Sequence, residues 1–200
     1  MRTKSEARKD AIMSVALEVF REVGFDAASM SQIAARVGGS KATLYNYFSS
    51  KEELLLEAML HSAEQHAENV LQLLQTEGDF SQQLHSFVAS LLTLVNAPET
   101  VEILRVAISV GGTTDVGRRF YESGTQHVWT EISSKLQEEI KKGSLRDVDA
   151  DRMAMHLRCL CEAEMIRNLL GAHQRMSASE AREKADCIID IFLHAYGSTR

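Results

Sequence analysis

The chain has 200 residues, and its 44% apolar content is ample for the buried cores of one small and one medium domain. It contains no run of 18 apolar residues and no charged start followed by an apolar segment, which argues against membrane-spanning and secreted classes and favours the cytoplasm. Residues 1–51 carry eight Lys or Arg against five Asp or Glu, a net +3, whereas the remainder carries 14 against 23, a net −9. A basic end on an acidic chain is typical of a segment that faces nucleic-acid phosphates.

The first predicted element is an amphipathic helix near the N-terminus. Apolar residues recur at helical spacing from Ala11 to Phe20, and Gly24 ends the pattern. A helix with one apolar face needs a partner surface, so we expect it to pack on the pair of helices that follows.

Residues 29–51 read SMSQIAARVGGSKATLYNYFSSK, and their spacing predicts a helix-turn-helix. Ala34 is the small residue that lets the second helix approach closely. Gly38 supplies a turn that requires positive φ, and Leu44 returns between the two helices. The predicted N-caps of the two helices are Ser29 and Ser40.

Residues 8–54 resemble the N-terminal domain of the TetR/AcrR family of transcriptional regulators. The resemblance rests on this helix-turn-helix and on the segment TLYNYFSSKEEL that continues it. It implies that the helix from Ser40 to Tyr47 enters the major groove of DNA. Two residues depart from the family pattern: Gly39 stands where a valine-like residue is usual, which should loosen the turn slightly, and Ala42 stands where glycine is common.

The candidate DNA contacts come from this resemblance and from the chemistry of the residues. Lys51 lies in the first turn of the next helix, where a cation opposes the helix dipole, so we expect an anion outside the chain to compensate it. Packing remains an alternative for the tyrosines, and a solvated face for Lys41 and Asn46. The resemblance assigns DNA contact to Lys41, Thr43, Tyr45, Tyr47 and Lys51. The full candidate set is Ser31, Ser40, Lys41, Thr43, Tyr45, Asn46, Tyr47 and Lys51.

The rest of the chain reads as helices, and no strand alternation interrupts them. The predicted fold is therefore all-α, with a three-helix DNA-binding domain at 1–50 and a helical effector-binding and dimerisation domain at 51–200. Glycines, caps and one proline set the predicted helix ends. The predicted helices run from Lys51 to about Gln75, from Asp79 to Val95, from Asn96 to the loop at Gly111, and over 115–142, 149–171 and 177–196.

The last two predicted helices are apolar on more than one face, and such helices have to be covered on both sides. The chain's own core can cover one side, and a two-fold copy is the simplest cover for the other, giving a four-helix bundle. The family resemblance implies a dimer made by the same helix pair. The alternative is that both helices are central in a monomer. The candidate interface residues are Leu157, Leu160, Ile188, Phe192 and Tyr196.

Residues 118–153 resemble, less specifically, the regulatory domain of AcrR-like members of the family. This resemblance implies a small-molecule effector, often apolar or cationic, bound among the middle helices. Core filling is the alternative role for each apolar residue concerned. The candidate pocket residues are Met59, Phe87, Leu91, Arg105, Phe120, Tyr121, His127 and Trp129.

Catalytic and metal motifs find little support in the sequence. We find no nucleophile elbow, phosphate-binding loop or paired His–Glu zinc helix, so no enzyme, metal or cofactor is expected. His156, Cys159 and Cys161 form a loose H-x-x-C-x-C, but Cys161 points away from Cys159 on a helix, which favours buried small side chains. An odd number of cysteines fits a reducing compartment, and a redox or metal-sensing role stays open for Cys159, Cys161 or Cys187.

Three classes of function follow from these patterns. The preferred hypothesis is a homodimeric, ligand-gated repressor of transcription that binds a pseudo-palindromic DNA operator. A second hypothesis is a DNA-bound adaptor regulated by a protein partner. A third is an enzyme that uses a helical scaffold, which no motif in the sequence supports.

Overall fold

The computed structural model describes residues 4–75, 78–172 and 176–198. Over these ranges the chain is helical, and its one β-type pairing is an isolated bridge between Leu145 and Gly197. The prediction of an all-α fold is therefore confirmed. The helices are α1 Lys4–Val23, α2 Met30–Val37, α3 Lys41–Tyr45, α4 Lys51–Gln72, α5 Phe80–Val95, α6 Pro98–Val110, α7 Val116–Phe120, α8 Gln126–Lys141, α9 Ala150–Cys161, α10 Met165–Leu169 and α11 Ala178–Tyr196.

Helix starts follow the caps that the sequence indicates. The Asp79 carboxylate accepts a hydrogen bond from the backbone N–H of Ser81 at 2.7 Å and begins α5. At α11, the Ser177 hydroxyl accepts from the Glu180 N–H at 3.2 Å, and the Glu180 carboxylate accepts from the Ser177 N–H at 2.7 Å. These bonds satisfy N–H groups that have no partner inside a helix, so the local sequence fixes both starts.

Two of the predicted long helices are interrupted. The segment predicted as one helix over 115–142 is divided into α7 and α8 by a π-helical turn at Tyr121–Thr125. Gly124 lies in this turn, and the low helix propensity of glycine makes the departure from α geometry less costly. The segment predicted over 149–171 is divided into α9 and α10 by a turn at residues 162–164. Neither break interrupts the apolar spacing, which is why periodicity predicted continuous helices.

The chain separates into two compact units. The first unit comprises residues up to Glu64 together with Glu102–Gly124, and the second comprises Gln65–Val101 together with the residues from Thr125 onward. The division expected at residue 50 differs, because the first unit also takes the first part of α4, most of α6 and all of α7. The apolar side chains of these segments belong to the same core as those of α1 and α2.

The first unit has a continuous apolar core. Its central side chains come from α1, α2, α3, α4 and the connection that follows α3, and the segment 102–124 adds Val106, Val116 and Phe120. Two ion pairs join this segment to the rest of the unit: Arg21 lies 3.5 Å from Glu102, and Arg119 lies 3.0 Å from Glu53. The fully buried residues at the centre are Phe20, Ile33, Leu44, Phe48, Leu54 and Met59.

In the second unit α5 packs along α11, and α8 packs along α9. The core is apolar apart from a few polar residues such as Asn96 and Asn168. The Asn168 amide donates to the Asn96 side-chain oxygen, and the Asn96 amide donates to the Leu92 carbonyl at 2.7 Å. Because Asn168 lies on α10, this buried pair anchors that short helix to α5 and fixes which of its faces points outward.

Within the described ranges no single helix is long and apolar enough to span a membrane, although α5 and α6, bent at their break, meet the length and composition requirement together.

Candidate nucleic-acid interface

The turn between α2 and α3 has the geometry that the sequence predicts. Gly38 has φ of 74°, in the left-handed region that favours glycine. The Gly39 N–H donates to the Ala34 carbonyl at 2.9 Å, which closes the C-terminal end of α2. The side chains of Ala34 and Leu44 are buried where the two helices meet. The predictions for the small residue, the turn glycine and the returning leucine are confirmed.

Both predicted caps of the helix-turn-helix are also present. The Ser29 hydroxyl accepts from the Gln32 N–H at 3.2 Å at the start of α2. The Ser40 hydroxyl accepts from the Thr43 N–H at 3.1 Å and lies 2.9 Å from the Thr43 hydroxyl at the start of α3. The hydroxyl groups of both serines therefore accept the hydrogen bonds that define the start of their helices.

Gly39, the departure from the family pattern, is explained by Arg8. The Arg8 guanidinium donates to the Gly38 carbonyl at 3.2 Å, and one of its nitrogens lies 3.1 Å from the position that a Cβ at residue 39 would occupy. The absence of a side chain at Gly39 thus admits an arginine that hydrogen-bonds to the turn. The expectation that Gly39 loosens the turn misses this added bond.

The outward surface of α3 and of the residue that caps it is formed by Lys41, Ala42, Tyr45 and Asn46, all exposed. Tyr45 is 47% exposed, and the Lys41 ammonium lies 5.7 Å from the centre of its ring. Thr43 and Tyr47 are half-buried, and Ser31 is exposed on α2. The candidate DNA residues of the recognition segment therefore fall into an outward group and a partly packed group.

Lys51 is engaged within the chain. Its ammonium donates to the Phe25 carbonyl at 2.7 Å and to the Ala28 carbonyl at 3.0 Å, and lies 4.2 Å from the centre of the Phe25 ring. Both carbonyls belong to the connection between α1 and α2, so the lysine fastens the start of α4 to that connection. Two carbonyl dipoles and an aromatic face already surround this charge, so the helix-dipole argument no longer requires an anion outside the chain, and DNA contact by Lys51 stays a prediction.

Most other basic residues of this region are also paired. Arg36 makes a two-point contact with Glu22, at 2.5 and 2.7 Å, and this hydrogen bonding lowers the pKa of the Glu22 carboxyl. That pair is already cancelled in the net charge of +3 counted for residues 1–51, because both of its members belong to that segment. Lys9 and Arg21 of α1 pair instead with Glu57 and Glu102, which lie outside that segment, so the positive excess counted from the sequence overstates the charge that is available to phosphate.

The candidate dimer residues lie deeper than expected. Leu157 and Phe192 are fully buried in the core of the second unit, and Ile188 is buried beside them. They cannot offer a surface to a second copy, which corrects that part of the prediction. Leu160 and Tyr196 are half-buried, and the Tyr196 hydroxyl is hydrogen-bonded to His156.

A different set of apolar residues is exposed on the last three helices. Ile166 is 68% exposed, and Leu170, at the end of the same short helix, is 79% exposed. The sequence places them in the same periodic pattern as the buried residues, so only the break before α10 distinguishes them. The exposed set on α9–α11 is Met155, Ile166, Leu170 and Ile191.

The eight candidate pocket residues are divided between the two units. Phe87, Leu91 and Trp129 belong to one apolar cluster of the second unit, the first two buried and the tryptophan half-buried. Met59 and Phe120 are buried in the core of the first unit. The side chains of Arg105, Tyr121 and His127 are exposed. The predicted set is therefore distributed over both units, and its role in effector binding stays a prediction.

Two surface clefts lie elsewhere, and none of those eight residues lines them. One cleft of about 580 Å³ lies between α1 and α4, with walls that include Glu6, Asp10 and Glu64. The other, of about 410 Å³, lies between α5 and α11 and contains His85 paired with Asp186 at 2.9 Å. Both clefts combine charged or polar side chains with apolar wall surface, and the first is lined by several carboxylates.

The cysteines do not come together as a ligand set. Cys161 is buried, and burial raises the pKa of its thiol to about 12, which makes it a poor nucleophile and a poor ligand. Cys159 and Cys187 are exposed. Among the residues described, no group of three or more His, Cys, Asp or Glu side chains is placed to hold a metal ion.

Known proteins match both parts of the chain. Residues 12–58 match the tetR family of bacterial regulatory proteins, and residues 82–198 match the C-terminal domain of AefR-like transcriptional repressors. The chain belongs to the TetR family. The match to a helix-turn-helix segment and to a regulatory domain confirms the prediction of a DNA-binding transcription regulator rather than an enzyme.

Individual relatives agree with this assignment. The HTH-type transcriptional activator FasR of Mycolicibacterium smegmatis is 35% identical over 94 residues, which are 47% of this chain and 43% of that protein. The match thus spans less than half of that relative. A TetR-family regulator of Mesorhizobium loti has the same fold, with a TM-score of 0.87 and 27% identity over 98% of this chain and 100% of its own. The flavonoid-responsive regulator FrrA also has this fold, with a TM-score of 0.76 and 25% identity over 97% of this chain and 99% of its own.

Proposed function

We propose that this TetR-family chain is a cytoplasmic, ligand-responsive repressor that binds a pseudo-palindromic operator as a homodimer and is released by a small apolar or cationic effector. The observation that carries the proposal is the outward surface of α3, where four neighbouring side chains are exposed on a short helix held by two caps and a buried leucine. A short, firmly held helix of this kind suits insertion into the major groove.

The proposed DNA contacts are a subset of those expected from the sequence. Lys41 and Tyr45 present a charge and a hydroxyl, and Ser31 presents a hydroxyl on α2, all of them exposed. Ser40, Thr43 and Tyr47 remain in the proposed set through their hydroxyl groups, which can reach sugar-phosphate oxygens. Lys51 is left out, because its ammonium is held by two backbone carbonyls.

Footprinting on DNA selected by the purified protein tests the operator. A two-fold dimer is expected to protect a pseudo-palindrome whose half-sites lie about one helical turn, or slightly more, apart. Duplexes that carry one half-site should bind much more weakly than duplexes that carry both. Equal binding to a single, asymmetric half-site would contradict the proposed symmetry.

The proposed dimer surface is the exposed apolar side of α9, α10 and α11. His156 contacts Tyr196 and Glu164 contacts Lys184, so α9 and α10 run antiparallel to α11 and form a hairpin-like layer. Ile166, Leu170 and Ile191 are exposed on this layer. Apolar side chains left in water at neighbouring positions favour association with a matching surface, and a second copy supplies one by symmetry.

Sedimentation of Ile166→Glu against a matched control tests this surface. Both Ile166 and Ile108 are exposed, the latter by 62% on α6, so neither substitution places a charge in the core. We expect wild type and Ile108→Glu to be dimers at micromolar concentration and Ile166→Glu to be a folded monomer with reduced operator affinity. A monomeric wild type, or a dimeric Ile166→Glu, would contradict the assignment.

The proposed effector site is the apolar interior of the second unit near Phe87, Leu91 and Trp129. FrrA, the flavonoid-responsive regulator with 25% identity, supports an aromatic, largely apolar ligand. A ligand that prefers a conformation unsuited to the operator lowers DNA affinity, and linkage requires the operator to lower ligand affinity by the same factor. Coupling free energies of about 1–3 kcal/mol are typical of such regulators.

Trp129 fluorescence provides the effector test, because it is the one tryptophan of the chain. We expect aromatic compounds, including flavonoids, to change this fluorescence and to release labelled operator over the same concentration range. Trp129→Phe should abolish the fluorescence signal and, because this side chain belongs to the proposed site, change the compound concentration that is needed to release the operator. Compounds that bind without affecting operator affinity, or release that requires a partner protein, would favour a DNA-bound adaptor instead.

A further inference from the structure

The exposed residues of the recognition segment form two rows. At about 100° per residue, positions 41 and 45 lie side by side, and positions 42 and 46 lie side by side on the adjoining strip of the helix surface. Lys41 and Tyr45 are in contact, with the ammonium 5.7 Å from the ring centre. Ala42 and Asn46 form the second row, and both are exposed.

The remaining side chains of the segment are buried or make contacts within the chain. Leu44 is fully buried, and the Thr43 hydroxyl is within hydrogen-bond distance of Ser40. Tyr47 packs against the core of the first unit, with its ring 6.3 Å from that of Phe48. By contrast, the Asn46 side-chain amide makes no hydrogen bond to any residue that the structure describes, and its donor and acceptor face outward.

The two rows differ in the part of DNA they suit. A lysine and a tyrosine hydroxyl serve phosphate and sugar oxygens, which carry no sequence information directly. A primary amide offers a donor and an acceptor side by side, which matches the N7 and N6 edge of adenine in the major groove. A methyl group with no side chain beyond it matches the C5-methyl group of thymine.

We propose that the Ala42–Asn46 row reads base edges in the operator, with the Asn46 amide paired to an adenine and the Ala42 methyl packed on a thymine methyl group. This inference rests on the proposed binding of α3 in the major groove. One helical turn separates the two residues by about 5.4 Å, and bases on one strand are about 3.4 Å apart. The two base pairs are therefore one or two steps apart in each half-site, and both are A·T pairs.

The methyl group of Ala42 is the part of this row that a glycine would lack. A glycine there leaves no methyl group to meet thymine, whereas the alanine of this chain supplies one. The substitution Ala42→Gly therefore removes the proposed base preference while leaving the rest of the row unchanged.

Selection from a random duplex library with the full chain tests the proposal. Wild type is expected to select half-sites with two A·T pairs one or two steps apart. Asn46→Ala should lose discrimination at one of these pairs by about 5- to 150-fold, the range typical of a bidentate contact. Ser49→Ala, at an exposed polar residue just beyond α3, is the matched control and should keep the wild-type preference.

Base analogues test the same contacts without changing the protein. Replacing the adenine by 7-deazaadenine removes the N7 acceptor and should weaken wild type but not Asn46→Ala. Replacing the thymine by deoxyuridine removes the methyl group and should weaken wild type but not Ala42→Gly. An unchanged consensus in Asn46→Ala, or equal sensitivity of wild type and variant to the analogues, overturns the proposal. Selection of no sequence at all by wild type would instead overturn the proposed operator binding.

Discussion

The recognition segment and the last three helices present opposite kinds of surface. Around α2 and α3 several cations are held within the chain, as Arg36 is by Glu22 and Lys51 by two carbonyls, whereas Lys41 is exposed. On α10, by contrast, Ile166 and Leu170 are largely exposed. The first surface therefore has few free charges with which to bind DNA, so shape and neutral groups matter more there. The second surface carries an apolar area whose burial is favourable, so association is its expected consequence.

The largest expected effect is a loss of stability on substitution in the core of the second unit, compared with a substitution on its surface. Phe192 is fully buried and its neighbour Ile191 is exposed on the same helix. We expect Phe192→Ala to lower the free energy of unfolding by about 3–5 kcal/mol, because it removes buried apolar surface and leaves a cavity. Denaturant titration at two protein concentrations measures this loss.

Ile191→Ala is the control for that experiment. If Ile191 contributes to a dimer, its substitution lowers stability in a manner that depends on protein concentration, since dissociation and unfolding are linked. The loss in Phe192→Ala should also persist when assembly is blocked by Ile166→Glu. Equal, concentration-dependent losses in Phe192→Ala and Ile191→Ala would place Phe192 at an interface after all.

The next effect separates a structural lysine from a DNA-binding one. Lys51→Ala leaves the partly buried carbonyls of Phe25 and Ala28 without their donor, which we expect to cost about 1–3 kcal/mol of stability. Its operator affinity should fall only as far as the fold is disturbed, with an unchanged salt slope. Lys41→Ala, on the exposed face of α3, should leave stability unchanged and lower the salt slope by about one unit for each phosphate that the lysine neutralises in the wild-type complex.

Thermal unfolding together with binding at several salt concentrations distinguishes the two lysines. A salt slope that falls in Lys51→Ala without loss of stability would restore this residue to the DNA interface. A slope unaffected by Lys41→Ala would remove Lys41 from it.

The helix-turn-helix was predictable because its determinants are local. Ser29 and Ser40 bond to N–H groups three residues away, and Gly38 adopts a φ that few other residues tolerate. Each feature depends on neighbours within one turn of helix, which a sequence displays directly. The partners of Lys51 and Arg8 lie 23 or more residues away, so the sequence showed the charges but not what holds them.

The exposed apolar surface of the last helices was not predictable in the same way. Leu157 and Ile166 belong to one apolar pattern, yet the first is buried and the second exposed. Which of two apolar faces lies inside depends on the break before α10 and on the buried Asn96–Asn168 pair, both set by tertiary packing. The candidate pocket residues were distributed over both units for the same reason, since periodicity identifies apolar faces but not the core to which each belongs.

A further prediction concerns Glu139, a charged exception in the mostly apolar core of the second unit. Burial opposes its ionisation, but hydrogen bonds from Lys142 and Ser144 and the charges of Lys142 and Lys135 outweigh this and lower the pKa of the carboxyl. Its contribution to stability is therefore present above the ordinary value of 4.5 and is lost as pH falls through the lowered pKa. Glu139→Gln should flatten the acid side of the stability curve, measured by denaturant titration at several pH values, whereas Glu131→Gln, an exposed control, should not.

The smallest expected effect concerns the two glycines of the turn, which face opposite constraints. Gly38 has φ of 74°, so Gly38→Ala forces a side chain into left-handed geometry at a cost of about 1–2 kcal/mol. Gly39 lies outside that region, and its new Cβ would meet only the flexible end of Arg8, at 3.1 Å. Gly39→Ala therefore loses the Arg8 bond to the Gly38 carbonyl, which lowers the free energy of unfolding by about 1 kcal/mol. The alanine also restricts the unfolded chain, which raises the free energy of unfolding by about 1 kcal/mol, so the two effects largely cancel. Stability measured for Gly39→Ala, Arg8→Ala and the double variant should show coupling between the two sites. Additive losses would mean that Arg8 does not support the turn.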